Sequence, residues 1–356
     1  MQYMSAKEAA KKWNISQRRV AVLRSEGRIP NAAILGNMWL IPKDASKPND
    51  GRSLRYMTKK AQLKPFVKWA GGKGQLINEI RKIYPKELGK QINKYAEPFV
   101  GGGAVLFDIL SNYNLESIYI SDINAELINA YQVIRDDVEG LIGLLSVMQE
   151  EYTHLDTESR KASYYEKRKR YNDIKIDGNK TLNIEKAALF IFLNKTCFNG
   201  LYRVNRKGLF NVPVGAYKSP CICDADNLRN ISGALHNVTI VCGDFEESRK
   251  FIDQNTFVYF DPPYRPLSDT SSFTAYNESS FDDSEQIRLA RFAEEMSVRG
   301  AKIVISNSDP KNTSKDDSFF DNLYSSFNIS RVDASRMINS DGDRRGKINE
   351  LLIANY

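Results

Sequence analysis

The sequence has few of the residues that cross-link a chain or bind a metal ion. Its 356 residues include only four cysteines and two histidines. The cysteines are Cys197, Cys221, Cys223 and Cys242. They form no C-x-x-C pair, and the two histidines lie far from them in sequence. This scarcity argues against a disulfide framework and against a zinc or other metal site, and it makes a reducing cytoplasm the expected compartment.

Long apolar runs are also missing. No stretch approaches the ~18 apolar residues of a membrane span, and the first residues, MQYMSAKEAAKKWN, are too polar for a signal peptide. Hydrophobic residues at 42% and aromatic residues at 11% are typical of globular proteins. We therefore expect a cytoplasmic protein with no membrane partner, whose length allows two or three domains.

Positive charge is concentrated in two blocks. The formal net charge is +7, yet residues 1–60 hold 13 Lys and Arg against 4 Asp and Glu, and residues 159–218 hold 14 against 4. The rest of the chain is therefore acidic. Two basic blocks on an acidic body indicate two surfaces that face a polyanion, because such clusters neutralise phosphates well. Each block alone is equally compatible with a solvated helix face.

Residues 1–48 have the pattern of a small separate module. Ser5 can cap a first helix over SAKEAAKKWN, and a second helix begins near Ser16 and ends at Gly27. AILGNMWLIP then alternates around a Gly-Asn turn like a short hairpin. This pattern resembles the winged helix-turn-helix of excisionase and MerR-type DNA-binding domains; the alternative is a helical hairpin for protein contacts. The candidate DNA contacts here are Arg18, Arg19 and Arg24.

Residues 49–62 are rich in turn formers and are interpreted as a linker, and from Pro65 onward strands alternate with helices. This alternation predicts an α/β protein with a doubly wound parallel sheet, whose ligands bind at the carboxyl ends of the strands. Residues 63–150 and 233–356 are assigned to this domain. Residues 151–232 interrupt the rhythm and are basic, so they are interpreted as an inserted, mostly helical second lobe.

A glycine cluster and a following carboxylate suggest a nucleoside site. Gly101 to Gly103 lie where a strand turns into a helix, and Asp122 ends the next strand, where it can accept hydrogen bonds from ribose hydroxyls. The dinucleotide fingerprint G-x-G-x-x-G fails at Leu106, so a nucleoside cofactor fits better than a dinucleotide. A tight packing turn is the alternative for the glycines. The segment VKWAGGKGQL, residues 67–76, could contribute the flat ring of a tryptophan and the charge of a lysine to this site. The alternative is a loop that starts a helix.

The motifs KWAGGK, EPFVGGG, SDIN and DPPY occur in this order. Together they resemble the Dam-like DNA adenine-N6 methyltransferases (D12 class, alpha group) over about residues 64–356. Further matches are NKTCFNGLYRVNRKGLFNVPVG, FTAYN and RRGKINELLIANY. The resemblance implies a Rossmann-like, S-adenosylmethionine-dependent methyltransferase fold that modifies N6 of an adenine flipped out of duplex DNA.

In this family the DPPY corner performs catalysis. The adenine amino nitrogen is a poor nucleophile, because its lone pair is delocalised into the ring. Two acceptors for its N–H groups favour a pyramidal nitrogen that can attack a methyl-sulfonium. The resemblance assigns these acceptors to Asp261 and the Pro262 carbonyl, with Pro263 fixing the backbone and Tyr264 stacking on the extruded base.

The resemblance also assigns the S-adenosylmethionine site. Trp69 and Lys73 line the methionine end, Asp122 binds the ribose, and Asp244 and Phe245 lie beside the adenine. Glu97, Phe99, Gly101 and Gly103 of EPFVGGG form the floor of the site. Asp261 lies close to both the cofactor and the target adenine.

DNA contacts are expected from a hairpin in RVNRKGLFNVP with Lys207-Gly208 at its turn. The resemblance makes residues 63–150 and 233–356 the catalytic domain and residues 151–232 the target-recognition domain. By the resemblance this hairpin enters the duplex and Lys68 touches a guanine. The hairpin candidates are Arg203, Asn205, Arg206 and Lys207, each of which could equally contact phosphate alone. Val204 and Leu209 depart from the GATC-enzyme pattern, so the recognition sequence is not fixed by the resemblance.

The resulting hypothesis is a site-specific adenine methyltransferase of a type II restriction-modification system. It would be a monomer or weak dimer that binds double-stranded DNA. A cognate endonuclease would recognise the same DNA but form no stable complex with the methyltransferase. The alternatives are a solitary regulatory methylase and an inactive DNA-binding regulator. Methylation of RNA or of cytosine N4 would use the same corner, but the hairpin and the motif order argue against both.

Overall fold

The computed structural model describes residues 3–13, 16–25, 29, 32–35, 38–43, 45, 62–177, 182–265, 281–335 and 347–356. The chain divides into two compact units, Met1–Lys60 and Ala61–Tyr356. Their boundary falls within the predicted linker, which lies outside the described residues apart from Gln62. The predicted helix end at Gly27, the Gly36–Asn37 turn and the FTAYN motif also lie outside the described residues.

The first unit combines two helices with a small antiparallel sheet. Its described elements are β1 (Tyr3–Met4), α1 (Ala6–Trp13), α2 (Gln17–Ser25), β2 (Ala33–Leu35) and β3 (Met38–Pro42), with sheet order β1-β3-β2. Ser5 caps α1 as predicted. Its Oγ accepts a hydrogen bond from the Glu8 N–H at 3.3 Å, and Glu8 Oε2 accepts one from the Ser5 N–H at 2.7 Å, which is a capping box. Leu35 pairs with Met38, so the predicted hairpin is confirmed.

The second unit is built on a seven-stranded sheet with the order β6-β5-β4-β7-β8-β10-β9. Its strands are β4 (Lys94–Glu97), β5 (Ser117–Asp122), β6 (Val238–Cys242), β7 (Thr256–Phe260), β8 (Lys302–Ser308), β9 (Asn328–Ser335) and β10 (Lys347–Ala354). Strands β4 to β8 run parallel, and β10 is antiparallel to both of its neighbours. The predicted α/β fold with a mostly parallel sheet is confirmed.

Helices cover both faces of this sheet. They are α3 (Ile77–Lys82), α4 (Ala104–Asn112), α5 (Ala125–Asp136), α6 (Val138–His154), α7 (Thr157–Ile176), α8 (Ile184–Thr196), α9 (Ala225–Leu235), α10 (Asp283–Val298) and α11 (Phe319–Leu323). Successive residues of β7 belong to different cores: Phe257 and Tyr259 pack in one, Val258 and Phe260 in the other. Burial on both faces explains why this strand is a continuous apolar run. Among the described helices, none is long and apolar enough to cross a bilayer.

The inserted region shares its core with the sheet. The predicted boundary at residue 151 falls inside the continuous helix α6, and α8 packs against α5, α6 and α7. Tyr164 and Phe192 of the insert join the same buried cluster as Tyr95 and Ile120 of the sheet. The target-recognition assignment of residues 151–232 therefore stays a prediction about function, on a region that is continuous with the catalytic core.

Candidate active site

The candidate site lies at the carboxyl edge of the parallel strands, where the strand order reverses. Strand β4 pairs with β5 on one side and with β7 on the other. The crevice above such a switch point is where open α/β sheets bind ligands. Glu97 ends β4 and Asp261 directly follows β7, so the EPFVGGG and DPPY motifs meet at this crevice.

Two donors converge on one oxygen of the Asp261 carboxylate. Lys73 Nζ lies 2.6 Å from Oδ1, and Ser306 Oγ donates to the same atom at 2.9 Å. The Lys73 side chain is 3% exposed, and Ser306 is fully buried. The Tyr259 hydroxyl donates to Ser306 Oγ at 3.0 Å. The KWAGGK loop and the DPPY motif, remote in sequence, are thus joined by a largely buried ion pair.

Lys73 has further contacts that define its role. Its ammonium donates to the Gly71 carbonyl at 2.8 Å and lies 4.7 Å from the centre of the Tyr264 ring. Gly71 has a φ of +74°, in the left-handed region that favours glycine. An ammonium group has three N–H donors. Two point to Asp261 and Gly71, which leaves a third N–H donor.

Polar side chains also fix the residues after Asp261. Gln286 Nε2 donates to the Pro263 carbonyl at 3.0 Å, and Asn307 Nδ2 donates to Gln286 Oε1 at 3.1 Å. The Tyr264 hydroxyl donates to Glu350 Oε2 at 2.5 Å. Burial first, and neighbouring carboxylates second, raise the pKa of Tyr264 well above its usual value, so the phenol keeps its proton. The corner is therefore anchored at its carboxylate, its backbone and its ring.

Sequence reasoning missed the residues that anchor this corner. They are Ser306, Gln286, Asn307 and Glu350. The pair Ser306-Asn307 ends an apolar strand in IVISNS, and polar residues in that position are a usable signal in a doubly wound fold. Gln286 lies in no quoted motif, and Glu350 lies in the RRGKINELLIANY match without being singled out, because only the packing of α10 and β10 brings these side chains to the site.

The glycine turn after β4 is shaped by close packing. Gly101 and Gly103 have φ values of +46° and +73°. A Cβ on Gly101 would lie 2.8 Å from Trp69 Cδ1, and one on Gly103 would collide with the Tyr131 hydroxyl. Trp69 in turn stacks on Tyr202 with ring centres 5.6 Å apart. Glycine is required at these positions because the backbone has a positive φ and because a Cβ would collide with neighbouring side chains. The turn therefore packs directly against the tryptophan of KWAGGK.

Asp122 ends β5 beside this turn. Its Oδ2 accepts a hydrogen bond from the Gly101 N–H at 3.1 Å, and its Oδ1 accepts one from the Asn124 N–H at 2.9 Å. Burial raises the pKa of Asp122 to about 6 in spite of these hydrogen bonds. The next residue, Ile123, is 53% exposed and was not identified from the sequence. A carboxylate and an exposed apolar side chain together suit a nucleoside.

Glu97 lies beneath the turn. It is 2% exposed and accepts a hydrogen bond from the Tyr95 hydroxyl at 2.7 Å. Burial raises the pKa of the Glu97 carboxyl well above its usual range, against the opposing effect of the Tyr95 hydrogen bond. The structure therefore places Glu97 as a buried carboxyl bonded to Tyr95, and its contact with the cofactor stays a prediction.

Asp244 and Phe245 lie near Phe99 of the EPF motif, but the carboxylate has a partner. Both terminal nitrogens of Arg288 donate to Asp244, at 2.9 Å and 2.7 Å. The Arg288 guanidinium also lies 4.2 Å from the centre of the Phe245 ring. Phe245 is buried, with its ring centre 5.5 Å from that of Phe99. A contact between these residues and a cofactor adenine stays a prediction.

Comparison with known proteins agrees with this geometry. A protein-family model described as D12 class N6 adenine-specific DNA methyltransferase matches residues 69–338. The chain belongs to this family. The match spans the KWAGGK tryptophan, the glycine turn, the insert and the DPPY corner.

The alignments with individual relatives extend over nearly the full length of those proteins. The Type II methyltransferase M.MjaIII of Methanocaldococcus jannaschii is 52% identical over 297 residues, 83% of this chain and 100% of that protein. The Type II methyltransferase M1.LlaDCHI of Lactococcus lactis subsp. cremoris is 38% identical over 83% of this chain and 97% of its own. A DNA adenine methylase of Haemophilus influenzae is 34% identical over 82% and 94%. The protein is an adenine-specific DNA methyltransferase, as the motif order predicted.

In this D12-class methyltransferase the predicted hairpin of the insert is present. Val204 bridges Phe210, and the Gly208 N–H donates to the Asn205 carbonyl at 2.8 Å. Gly208 has a φ of +71°, as a three-residue hairpin loop requires. The Asn205 side-chain oxygen accepts hydrogen bonds from the N–H groups of Lys207 and Leu209. The Asn205 side-chain oxygen is therefore used to stabilise the turn and is not free to accept a hydrogen bond from a base.

The remaining hairpin candidates are exposed. Arg206 and Lys207 lie at the tip, whereas Arg203 Nε donates to Asn211 Oδ1 on the opposite strand at 2.8 Å. The insert's helix α7 holds the hairpin base. Asn172 of this helix donates to the Phe210 carbonyl at 3.1 Å and accepts from the Phe210 N–H at 2.9 Å. The backbone is thus fixed while the basic tip points into solvent.

Two other features border this family's predicted DNA face. Lys68 Nζ is 3.0 Å from the Tyr217 hydroxyl of the insert, and Asn194 exchanges two hydrogen bonds with the Lys68 backbone. Phe198 is 52% exposed and was not identified from the sequence; it precedes Asn199, which has a φ of +54°. Lys68, next to the KWAGGK tryptophan in sequence, is thus held by two residues of the insert.

Part of the charge of the second basic block is neutralised locally. Four cations of α7 pair with carboxylates among the described residues: Lys167 with Glu151, Lys169 with Asp173, Arg170 with Glu185, and Lys175 with Glu126. The tip cations are therefore better candidates for DNA contact than the helix face. In the N-terminal unit the candidate arginines lie on α2, and their side chains are outside the described part of the chain. These residues are Arg18, Arg19 and Arg24.

Proposed function

We propose that this enzyme transfers a methyl group from S-adenosylmethionine to N6 of an adenine turned out of duplex DNA. When bound, S-adenosylmethionine supplies a methyl group activated by a sulfonium centre. The residues present fit it. The glycine turn has no side chains of its own, so its backbone can come close to a ligand. Asp122 suits the ribose, and the third N–H of Lys73 suits the amino-acid carboxylate.

The catalytic proposal rests on the acceptors at the corner. Asp261 and the Pro262 carbonyl would each accept one N–H of the adenine amino group, which favours the pyramidal nitrogen. Lys73 and Ser306 hold Asp261, and Gln286 holds the next carbonyl along the chain. As the bond from N6 to the methyl carbon forms, the bond from that carbon to sulfur would break and leave a neutral thioether, and one N6 proton would pass to the Asp261 carboxylate and from there to solvent. The Asp261 side chain is 20% exposed, so water can remove that proton.

Tyr264 would provide the face on which the extruded base stacks. Its ring is half-buried, and its hydroxyl is bonded to Glu350. The ring is therefore in place before the base arrives. A duplex carrying 2-aminopurine at the target position tests this role, because loss of the aromatic ring in Tyr264→Ala should weaken the fluorescence rise that accompanies extrusion.

The exposed hairpin tip and Lys68 would contact DNA. Arg206 and Lys207 are exposed on a turn whose backbone is already fixed. Cations presented in this way can neutralise phosphates or read guanine. The recognition sequence follows from neither possibility.

The N-terminal unit would be a second DNA-binding module. Its order of strand, two helices and hairpin agrees with a winged helix-turn-helix, and residues 1–60 carry the excess of Lys and Arg noted above. Deleting residues 1–48 should weaken DNA binding and leave affinity for S-adenosylmethionine unchanged. Loss of cofactor binding, or unchanged DNA affinity, would contradict the module's proposed role.

The relatives named Type II methyltransferase, at 52% and 38% identity, support a role as the modification enzyme of a restriction-modification system. A solitary methylase is the alternative, since a relative at 34% is named DNA adenine methylase. We expect a monomer or weak dimer that forms no stable complex with an endonuclease. Sequencing of modified bases in expressing cells would give the target site, and a DNA cleavage activity blocked by that modification would distinguish the two roles.

The observation that carries the proposal is Asp261, held at the switch point between Lys73 and Ser306. Asp261→Ala should reduce methyl transfer by at least about 1,000-fold, because an electrostatic acceptor in the transition state is lost. Folding and DNA binding should be retained. Asp253→Ala is the matched control, since Asp253 precedes the same strand at its other end and pairs with Lys94. Transfer of labelled methyl groups to DNA is the measurement, and normal turnover by Asp261→Ala would refute the role.

A further inference from the structure

Two hydroxyl groups behind Asp261 form a buried chain that ends at its carboxylate. Tyr259 and Ser306 lie on the neighbouring parallel strands β7 and β8, and both are fully buried. The Tyr259 hydroxyl donates to Ser306 Oγ at 3.0 Å, and Ser306 Oγ donates to Asp261 Oδ1 at 2.9 Å. Chemistry fixes the direction of this chain, because a carboxylate only accepts and a serine hydroxyl has one proton to give.

The other donor at Asp261 reaches the same oxygen. Lys73 Nζ lies 2.6 Å from Oδ1, so both the lysine and the serine are on one side of the carboxylate. Among the described residues, Oδ2 has no donor. Since the side chain is 20% exposed, Oδ2 is the oxygen that a ligand amino group can reach.

A carboxylate on its own does not keep one orientation, because the terminal torsion of aspartate is broad. The Lys73 ammonium attracts the carboxylate but is a flexible point charge. A hydroxyl on the adjacent sheet strand is rigid, and Tyr259 limits its rotation by occupying its lone pair. Such fixed donors keep an acceptor aimed before the reaction begins.

We propose that Ser306, backed by Tyr259, is a positioning residue that turns the Asp261 carboxylate so that Oδ2 accepts the adenine N6–H. This inference rests on the proposed role of Asp261 in methyl transfer. Ser306 touches neither substrate nor cofactor in this scheme, and Tyr259 acts only through Ser306.

Single-turnover methylation of duplex DNA tests the proposal with Ser306→Ala, Tyr259→Phe and the double variant. Ser306→Ala should slow methyl transfer roughly ten- to hundredfold, the effect of one hydrogen bond to a charged acceptor. Tyr259→Phe should slow it about threefold to fivefold. The double variant should be no slower than Ser306→Ala alone, and affinities for S-adenosylmethionine and DNA should be unchanged.

Matched controls separate positioning from strand stability. Thr256→Val removes a buried hydroxyl that donates to Asp253 at 3.0 Å, at the opposite end of β7. Tyr324→Phe removes a buried hydroxyl that has no partner among the described residues. Both controls should methylate DNA at the wild-type rate. A loss in Thr256→Val equal to that in Ser306→Ala would overturn the proposal.

Two further results would also overturn it: a wild-type rate for Ser306→Ala, or a Tyr259→Phe effect that persists undiminished in the Ser306→Ala background. An undiminished effect would mean that Tyr259 acts through general packing. Failure of the proposed function looks different, because the wild-type enzyme would then produce no N6-methyladenine from S-adenosylmethionine.

Discussion

The catalytic corner and the recognition hairpin hold their polar side chains in opposite ways. At the corner, Asp261 and Tyr264 have partners on other strands, Ser306 and Glu350. At the hairpin the backbone is fixed, whereas the tip side chains are exposed. The difference indicates that the groups for chemistry are oriented before DNA arrives, while the groups for recognition take their final positions on the duplex.

After Asp261→Ala, the largest expected effect in this comparison comes from removing the cation at the corner. Lys73→Met keeps the length of the side chain but leaves Asp261 with Ser306 as its one described donor. We expect single-turnover methyl transfer to fall at least about 100-fold, because the acceptor loses its main electrostatic partner and the cofactor carboxylate loses its predicted one. Transfer of labelled methyl groups from S-adenosylmethionine to DNA measures this effect.

Lys94→Met is the control for this variant. Lys94 begins β4 and pairs at 2.9 Å with Asp253, which precedes β7, so this is a lysine–aspartate pair at the amino ends of two parallel strands, away from the corner. That pair is more exposed, so its loss should change little beyond a modest decrease in the unfolding midpoint. Equal loss of methyl transfer in both variants would show that Lys73 acts through stability and would remove the contrast between corner and hairpin.

The sequence was most informative where several residues of one function lie close together along the chain. The DPPY corner, the glycine turn and the Asp122 strand end were identified from local motifs, and the parallel sheet from the alternation of strands and helices. Gln286 and Glu350 could not be identified in this way, because α10 and β10 bring them to the corner only in the folded chain.

The lobe boundary shows a second limit of local reading. A change in composition near residue 151 suggested a separate unit, whereas α6 runs through that position and α8 shares the sheet's core. Composition reports the surface that a segment presents. It does not report where that segment is packed, so the start of the insert could not be derived from charge alone.

A pH-dependent effect of intermediate size is expected at Asp122. Since burial raises its pKa to about 6, the carboxyl is mostly ionised at about pH 7 and mostly protonated at about pH 5. If the carboxylate accepts hydrogen bonds from the ribose, affinity for S-adenosylmethionine should fall about tenfold as the pH is lowered through this range. Calorimetric titration of the cofactor measures the change.

Raising the pH is expected to strengthen cofactor binding but to reduce the contribution of Asp122 to folding stability. A raised carboxyl pKa means that the folded protein holds this proton more tightly than the unfolded chain, so the contribution of Asp122 to stability declines as the pH rises from 3.8 to about 6. Asp122→Asn should bind the cofactor weakly and remove this part of the pH dependence of affinity. A variant that keeps the wild-type pH profile would show that another group titrates.

The smallest effects are expected at the hairpin tip, where Arg206→Ala and Lys207→Ala remove exposed side chains from a turn held by Asn205 and Gly208. If each residue contacts a phosphate, DNA affinity should fall by a few-fold, and the slope of log affinity against log salt should decrease by about one. Lys90→Ala, an exposed lysine before β4, is the control and should leave both quantities unchanged. Fluorescence anisotropy over a salt series measures them. An unchanged slope with a relaxed target sequence would instead assign the tip to base readout, in which case the exposed side chains carry specificity as well as charge.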